Sequence, residues 1–270
     1  MSTKTFAFGK NWKRFVKKCD KKRVEVAKKW TADFLGMKDL KGKLFLDVGC
    51  GSGLYSLAAL ELGADVISFD TDPNCIECCE FFKQQKGNPD NWKIYQGSIL
   101  DKKFLANLPK ADIVYSHGVL HHTGKMWEAM ENAGHLVRDN GYLYIAIYNK
   151  MYGFFRGSKS WEIQKRLYLR LPKILQYAWE GVYLFRRKFV PYIIRFKNPV
   201  KYWKKAYEKR GESILVNLRD WLGGYPYEYA RPDEVFNFYK DDFILVNLLT
   251  KNTLALNVFL FKKKDKKQGK

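Results

Sequence analysis

The side chains of this sequence best suited to proton transfer are its histidines, which all lie between positions 117 and 135. His117, His121 and His122 follow directly after the short apolar run DIVYS. An imidazole has an unperturbed pKa of about 6.5, so it can take a proton from an acceptor hydroxyl near neutral pH. We therefore predict a catalytic base among these three residues, with His121 and His122 preferred over His117. The alternative is that they only cap and pack a helix start.

A glycine-rich loop, DVGCGSG, covers Asp47–Gly53 and follows another apolar run. Glycines suit a backbone that turns sharply and approaches a ligand closely. Asp70 ends the next apolar run, where a carboxylate can accept hydrogen bonds from two ribose hydroxyls. The dinucleotide fingerprint needs a third glycine where Leu54 stands, and no Walker-type lysine follows the loop. Dinucleotide binding and nucleotide hydrolysis are therefore disfavoured.

Apolar runs and helical segments alternate around these residues. Strands are predicted at Lys43–Val48, Asp65–Phe69, Trp92–Gln96, Asp112–Ser116, Tyr142–Tyr148, Phe243–Leu249 and Leu254–Phe261. Helices are predicted at Leu54–Leu62, Pro73–Lys86, Phe104–Leu108, Met126–Val137, Trp161–Leu171, Ile174–Lys188 and Pro232–Tyr239. This pattern predicts an α/β fold, a doubly wound, seven-stranded, mostly parallel sheet whose last two strands form a hairpin.

The loop, Asp70 and the strand order together resemble the class I S-adenosylmethionine-dependent methyltransferase superfamily, over roughly Leu40–Tyr148 and the final hairpin. The resemblance implies a Rossmann-like fold, S-adenosyl-L-methionine as cofactor and methyl transfer as the activity. It also implies the following cofactor-binding residues: Asp47, Gly49, Cys50, Gly51, Gly53, Asp70, Thr71, Ser98, Ile99 and Ser116. Ser98 departs from the aspartate that the family more often has there, which weakens the expected contact with the adenine amino group.

A closer resemblance rests on the phrases YSHGVLHHTGKMWEAMENAGHLV, LYIAIYN and DWLGGYPYEYARPDEVFNFY, which look like an uncharacterised bacterial subgroup of class I methyltransferases. Ubiquinone-type O-methyltransferases are similar in the first phrase, with a Glu-His pair aligned to His121–His122 and a further Glu aligned to Gly118. Because that carboxylate is missing here, we predict no metal site. Cys75, Cys78 and Cys79 lack a second pair of ligands, which favours structural cysteines over zinc.

The methyl acceptor is the part of the function that the motifs do not identify. Methylases of base amino groups resemble one another in a Pro-Pro-aromatic motif after strand four, whereas Ser116–Val119 reads SHGV. We predict O-methylation of a small-molecule, glycan or lipid-like hydroxyl, contacted by Tyr148, Tyr225, Tyr227 and Glu228. The alternatives are an RNA methyltransferase and a non-catalytic cofactor-binding protein.

The net charge of +21 is shared among both ends of the chain and a basic, aromatic segment in between. That segment can cap the acceptor, lie on an anionic membrane or bind RNA, and the cap is the most economical interpretation. The alternative is a solvated basic surface. The predicted division is a helical lid at 1–39, a cofactor-binding core at 40–149, the helical cap at 150–212, the rest of the core at 213–262 and a disordered basic tail at 263–270. Without a signal peptide or long apolar run, a cytoplasmic protein is expected.

Overall fold

The structure is a computed structural model that describes residues 9–17, 19–154, 157–186, 190 and 214–265. A single seven-stranded sheet with strand order β3-β2-β1-β4-β5-β7-β6 forms its centre. The strands are β1 (Leu44–Val48), β2 (Asp65–Asp70), β3 (Trp92–Gln96), β4 (Ala111–His117), β5 (Val137–Tyr148), β6 (Phe243–Leu249) and β7 (Leu256–Lys263). Strands β1 to β5 are parallel, and β7 runs antiparallel to both neighbours. The predicted fold class is thus confirmed.

The order of the strands determines where a ligand can bind. The chain winds outward from β1 to β3 and then returns to β4, so β1 and β4 are adjacent at the point where the winding reverses. Loops that leave neighbouring strands on opposite faces open a crevice at the carboxyl ends of these two strands. The glycine loop follows β1 and the histidine turn follows β4, so both border this crevice.

Ten α-helices and one 3₁₀ turn are described. The helices are α1 (Gly9–Val16), α2 (Lys21–Leu35), α3 (Leu54–Glu61), α4 (Pro73–Gln85), α5 (Lys102–Ala106), α6 (Met126–His135), α7 (Ser158–Arg170), α8 (Lys173–Leu184), α9 (Ile214–Gly223) and α10 (Pro232–Tyr239). The 3₁₀ turn is Leu120–His122. One face of the sheet packs against α2, α3 and α4, with Phe34, Leu57 and Phe82 buried. The other packs against α6 and α10, through Met130 and Val235.

Among the element boundaries that differ from the prediction, two extend the sheet by residues that were assigned elsewhere. Helix α6 ends at His135, and Val137, expected to end that helix, is fully buried in β5 opposite Ala111. The residues Arg138–Gly141, which the prediction leaves between that helix and the next strand, lie inside β5, with Asn140 at φ 61°. At the other end, Lys263 belongs to β7 and not to a disordered tail, because its ammonium is buried and donates to the carbonyls of Gly134 and Val137 at 3.2 and 2.7 Å.

Helices α7, α8 and α9 form a separate layer that we call the cap, built from residues 157–186 and 214–224. Its core contains Trp161, Tyr168, Leu184 and Leu222, which pack against Tyr227 of the following loop. A buried carboxylate joins the helices, since Glu180 accepts from the Tyr168 hydroxyl at 2.8 Å and from Arg219 Nε at 3.0 Å. The predicted helix Ile174–Lys188 ends at Leu184, and 187–189 lie outside the described residues. No helix in the described ranges is long and apolar enough to cross a membrane.

Candidate active site

At three alternate positions the glycine loop has a backbone conformation that only glycine adopts readily. Gly49, Gly51 and Gly53 have φ angles of 72°, 54° and 76°. A Cβ on Gly49 would lie 2.3 Å from the Val119 side chain, and one on Gly53 would lie 2.7 Å from the Cys79 sulfur. Backbone sterics and close packing therefore both exclude side chains here. The contact with Val119 also places the histidine turn directly against this loop.

Asp70 stands at the carboxyl end of β2 beside the loop. Its Oδ2 accepts from the Gly51 amide at 3.1 Å and its Oδ1 from the Asp72 amide at 2.9 Å. Burial raises the pKa of Asp70, while these two hydrogen bonds lower it. The carboxylate is partly exposed, and each oxygen has a second lone pair. It is thus oriented by the backbone, and its contact with the ribose hydroxyls stays a prediction.

Asp47 lies beneath the loop and is hydrogen-bonded to another side chain of the protein. Its Oδ2 accepts from the Ser56 hydroxyl at 2.5 Å, Ser56 accepts from Ser68 at 2.8 Å, and Ser68 accepts from the Trp92 indole at 2.9 Å. Burial raises the pKa of Asp47 to about 7. This network ties β1, β2, β3 and α3 together below the glycines. A direct contact of Asp47 with the cofactor stays a prediction.

The turn after β3 lies next to Asp70, because the Gly97 amide donates to the Asp70 carbonyl at 3.0 Å. Ser98 Oγ accepts from the Leu100 amide at 3.1 Å, which shapes the turn. The Ile99 side chain is buried, and the Ile99 carbonyl accepts from Asn132 at 2.8 Å. The structure therefore brings the predicted adenine contacts to the same edge of the sheet as the predicted ribose contact.

Two further predicted cofactor residues flank these groups. Thr71 follows Asp70, and its carbonyl accepts from Gln96 at 3.2 Å. Cys50, within the glycine loop, is buried with its sulfur 3.3 Å from that of Cys79. All five cysteines are free thiols. Burial raises the pKa of Cys75 and of Cys78, the latter to about 12, which agrees with structural cysteines.

Helix α1 lies across the mouth of the cofactor crevice. The Gly9 amide donates to Asp72 Oδ2 at 2.9 Å, and a Cβ on Gly51 would lie 3.4 Å from the Trp12 indole nitrogen. Lys13 and Glu77 form an ion pair between α1 and α4. The N-terminal segment is thus packed on the glycine loop, in the position that a lid over the cofactor requires.

Ser116 and His117 end β4 next to the loop. Ser116 Oγ donates to the Val48 carbonyl at 3.1 Å. His117 Nδ1 lies 2.9 Å from the Tyr144 hydroxyl, and that hydroxyl accepts from the Trp30 indole at 3.2 Å. This arrangement lets Tyr144 donate its proton to Nδ1, which leaves the proton of neutral His117 on Nε2. In that tautomer Nε2 of His117 is a hydrogen-bond donor and not a base, so the geometry favours the other two histidines as bases.

His121 and His122 form the turn that follows. His122 Nδ1 lies 2.6 Å from the Pro226 carbonyl, which only accepts, so Nδ1 carries the proton and Nε2 is the basic nitrogen. Neither ring nitrogen of fully buried His121 has a hydrogen-bond partner of normal geometry among the described residues. Burial lowers the pKa of His122 to about 4 and that of His121 well below its usual value. Both are therefore neutral at pH 7, the state that a base requires.

The predicted acceptor contacts lie above these imidazoles, between the core and the cap. The Tyr148 ring is 4.1 Å from that of His121 and 5.0 Å from that of Tyr227. Tyr225 is partly buried against the cap. Glu228 differs, since its carboxylate accepts from the Met126 amide at 3.0 Å and caps α6. Its role as an acceptor contact stays a prediction.

Sequence reasoning missed one residue of this region, Lys165 of α7. The side chain is fully buried, and its ammonium donates to the Trp221 carbonyl. In the sequence it is one of many lysines of a basic segment. The available signal is its spacing, because Trp161, Lys165 and Tyr168 lie at i, i+4 and i+7 on one helical face that is otherwise aromatic.

A metal centre has no support in the described ranges, which contain no group of three or more His, Cys, Asp or Glu side chains placed to hold an ion. The donors near the crevice are two neutral imidazoles and one carboxylate already bound by backbone amides. The chemistry available there is proton transfer and the orientation of a ribose-containing cofactor.

Two curated enzymes are similar in sequence to part of this chain. The chain is 38% identical over 104 residues to the tRNA U34 carboxymethyltransferase of Pseudomonas savastanoi pv. phaseolicola, covering 37% of this chain and 32% of the relative. It is 30% identical over 114 residues to the ubiquinone biosynthesis O-methyltransferase of Pelagibacter ubique, covering 42% of this chain and 45% of the relative. The chain thus spans less than half the length of these curated relatives.

The fold is also that of known methyltransferases. Magnesium protoporphyrin IX methyltransferase from Synechocystis PCC 6803, solved with bound S-adenosylhomocysteine, is similar with a TM-score of 0.51 at 13% identity, covering 90% of this chain and 86% of the other. A family model described as a methyltransferase domain matches residues 39–207, more than half of the sequence. The chain therefore belongs to the class I S-adenosylmethionine-dependent methyltransferases, whose cofactor is S-adenosyl-L-methionine.

Proposed function

We propose that this protein transfers the methyl group of S-adenosylmethionine to a hydroxyl of a small-molecule, glycan or lipid-like acceptor. The observation that carries the proposal is the contact between the glycine loop and the histidine turn. Val119 occupies the space that a Cβ on Gly49 would need, and His121 and His122 follow within three residues. Neutral imidazoles thus lie beside the loop that would hold the methyl donor.

The cofactor supplies an electrophilic methyl carbon on a sulfonium when it is bound. The residues present fit it: Asp70 would accept from the ribose hydroxyls, and the turn at Ser98–Ile99 would flank the adenine. Unprotonated His122 Nε2 would take the proton of the acceptor hydroxyl. Tyr148, Tyr227 and the cap would exclude water and hold the acceptor in line.

Isothermal titration calorimetry with S-adenosylmethionine and S-adenosylhomocysteine tests the cofactor. We expect both to bind, and binding of neither would overturn the proposal. Labelled S-adenosylmethionine is then offered with pooled phenols, sugars and lipid extracts in one arm and with total RNA in the other. Label that enters an alkali-stable ether of a small molecule supports the proposal, whereas label in none of the extracts contradicts it.

RNA methylation is the second candidate function. It is supported by the similarity to a tRNA-modifying enzyme and by the net charge of +21. Label that enters only RNA would establish it in place of the first proposal. Binding through phosphates would then weaken steeply as salt is raised. A protein that binds the cofactor but labels neither arm would favour the non-catalytic alternative.

An association with anionic membranes has one supporting observation. The outer side of α8 and the residue after it carry exposed apolar side chains, namely Ile174, Tyr177, Val182 and Phe185. Basic residues flank them at Arg170 and Lys173. Such a surface fits delivery of a lipid-like acceptor. Co-sedimentation with phosphatidylglycerol vesicles, compared with phosphatidylcholine vesicles, tests this part.

A further inference from the structure

Lys165 is a buried lysine without a described counter-ion, and burial lowers the pKa of its amine to about 7. It is fully buried on α7, and no described carboxylate forms an ion pair with it. Its Nζ lies 5.0 Å from the centre of the Tyr227 ring and 5.7 Å from that of Trp161, and it donates to the Trp221 carbonyl. An ammonium taken out of water is costly unless it is compensated by an opposite charge. Two of its three protons have no described acceptor.

The side chains around Lys165 also have unused hydrogen-bonding capacity. Eight buried side-chain polar atoms of the described residues lack a hydrogen-bond partner of normal geometry. Four of them belong to His121, Trp161 and Tyr227. These residues form a continuous group with Lys165 and Tyr148, which we call the acceptor cluster, because the Tyr148 ring lies against those of both His121 and Tyr227 at a tilt of 50°. Unpaired buried polar groups concentrate where a ligand completes the pairing.

We propose that Lys165 binds an anionic group of the methyl acceptor, and that the acceptor is therefore an aromatic carboxylate that also carries the hydroxyl to be methylated. This inference rests on the proposed methyl transfer and names its substrate class. The carboxylate accepts from Lys165 and from the Tyr227 hydroxyl, and the ring packs on Tyr148. The hydroxyl then points toward the histidine turn.

The aromatic rings and the hydrogen-bond donors of the acceptor cluster favour an aromatic carboxylate as the methyl acceptor. Tyr148, Trp161 and Tyr227 give the cluster an aromatic lining, which favours a planar ring over a sugar. A neutral acceptor would offer no anionic partner to the Lys165 amine. Polymers are disfavoured because the cluster is buried under α7 and the 225–229 loop.

Lys165 also affects the histidines. Its charge is one of the causes that lower the pKa of His121 and of His122, after burial itself. A bound carboxylate would compensate that charge and so raise the basicity of both imidazoles. Acceptor binding and base strength are thereby coupled through one side chain.

The test compares two probes in calorimetry with the full chain saturated with S-adenosylhomocysteine. The probes are para-hydroxybenzoate and its neutral isostere para-hydroxybenzamide. We expect the unmodified protein to bind the benzoate at least about tenfold more tightly, in keeping with a charge-assisted hydrogen bond. Lys165→Met should remove this preference, and Lys165→Arg should retain part of it. The matched control is Lys159→Met, an exposed lysine on the same helix, which should leave the preference unchanged.

Three results would overturn the inference. They are no binding of the benzoate by the unmodified protein, an unchanged preference in Lys165→Met, or a loss of S-adenosylhomocysteine binding in that variant. Thermal unfolding of Lys165→Met and Lys159→Met checks that both variants are folded, so that a lost preference is not a consequence of unfolding. Inorganic phosphate is titrated in parallel, and phosphate binding without benzoate binding would contradict the carboxylate. The proposed function fails separately, through absent cofactor binding or absent methyl transfer.

Discussion

The two halves of the crevice satisfy their polar groups in opposite ways. On the cofactor side, Asp70 is held by two backbone amides and Asp47 by a chain of hydroxyls and an indole. On the acceptor side, His121, Trp161 and Tyr227 are buried with ring nitrogens or a hydroxyl that lack a hydrogen-bond partner of normal geometry among the described residues. The first half is shaped by the backbone before any ligand arrives. The acceptor side contains buried polar groups that would form hydrogen bonds with a ligand.

This difference separates what is general from what is particular in the protein. Any enzyme that uses the same methyl donor can use the same backbone geometry, so it follows from the fold. The acceptor cluster combines one residue of the 3₁₀ turn, the end of β5, one helix of the cap and the loop before α10. Its composition can therefore change without altering the sheet.

The largest expected effect comes from adding one methyl group to the glycine loop. In Gly49→Ala the new Cβ would meet Val119 at 2.3 Å and would also force a positive φ. We expect a loss of about 2–6 kcal/mol in the free energy of unfolding and no measurable cofactor binding. The matched control is Gly42→Ala, where φ is 69° and nothing lies within 4 Å of the Cβ. It should cost only about 1–3 kcal/mol and keep cofactor affinity, as chemical denaturation and calorimetry would show.

Replacing the histidine that carries the basic nitrogen should lower the rate of methyl transfer without weakening cofactor binding. His122→Gln is expected to lower kcat about 10²- to 10⁴-fold while cofactor affinity changes less than about threefold. His121→Gln should have a smaller effect, since only His122 has its tautomer set by a carbonyl. The exposed His135→Gln is the control. Normal turnover by the His122 variant would remove the histidine base from the mechanism.

Removing the carboxylate that is predicted to bind the ribose should lower the affinity for the cofactor and leave the protein folded. Asp70→Ala should weaken S-adenosylhomocysteine binding about 100-fold, because it removes a carboxylate positioned for two hydroxyls. Asp65→Ala, at the exposed opposite end of the same strand, should change affinity less than about twofold. Equal affinities of the two variants in calorimetry would show that Asp70 only shapes the loop.

The smallest predicted effect is on the pH dependence of stability. The pKa of His122 is lowered to about 4 in the folded chain, whereas unfolded histidine titrates near 6.5. The unfolded state thus binds more protons between these values, so the free energy of unfolding falls as the pH is lowered from 6.5 to 4. We expect about 2 kcal/mol from this side chain after allowance for its partial exposure.

Asp47 acts in the opposite direction. Its pKa is raised to about 7, so its contribution to stability grows as the pH falls below 7 and is lost as the pH rises through that value. The measurement is therefore a difference between the pH profiles of the unmodified protein and of His122→Gln in urea denaturation. Parallel profiles would contradict the assigned shift.

Much of the cofactor side could be predicted from the sequence because the signals are local. The run Asp47–Gly53 and the position of Asp70 fix a tight turn and a carboxylate at the ends of adjacent strands. Hydrophobic periodicity located the seven strands to within a few residues. It failed at Val137, where the burial of one valine opposite Ala111 extended β5 through a segment with turn-like composition.

The acceptor side could not be predicted in the same way. Tyr148 and Tyr227 were named from the sequence, yet Glu228 turns to cap α6 and Lys165 enters the cluster from a helix that resembles any basic surface segment. Burial of a charged side chain depends on which helices pack together, and the sequence does not contain that information locally.

By itself, then, the sequence determined the methyl donor and the sheet that holds it, since glycines, a carboxylate and strand periodicity act over a few neighbouring residues. The tertiary structure decided which histidine nitrogen is basic, since the Pro226 carbonyl that fixes it lies 104 residues away. It also decided that Lys165 is buried against Trp221, 56 residues further along the chain. Contacts between residues so far apart in the sequence depend on how the helices and strands pack. The features that would select the acceptor depend on the same packing.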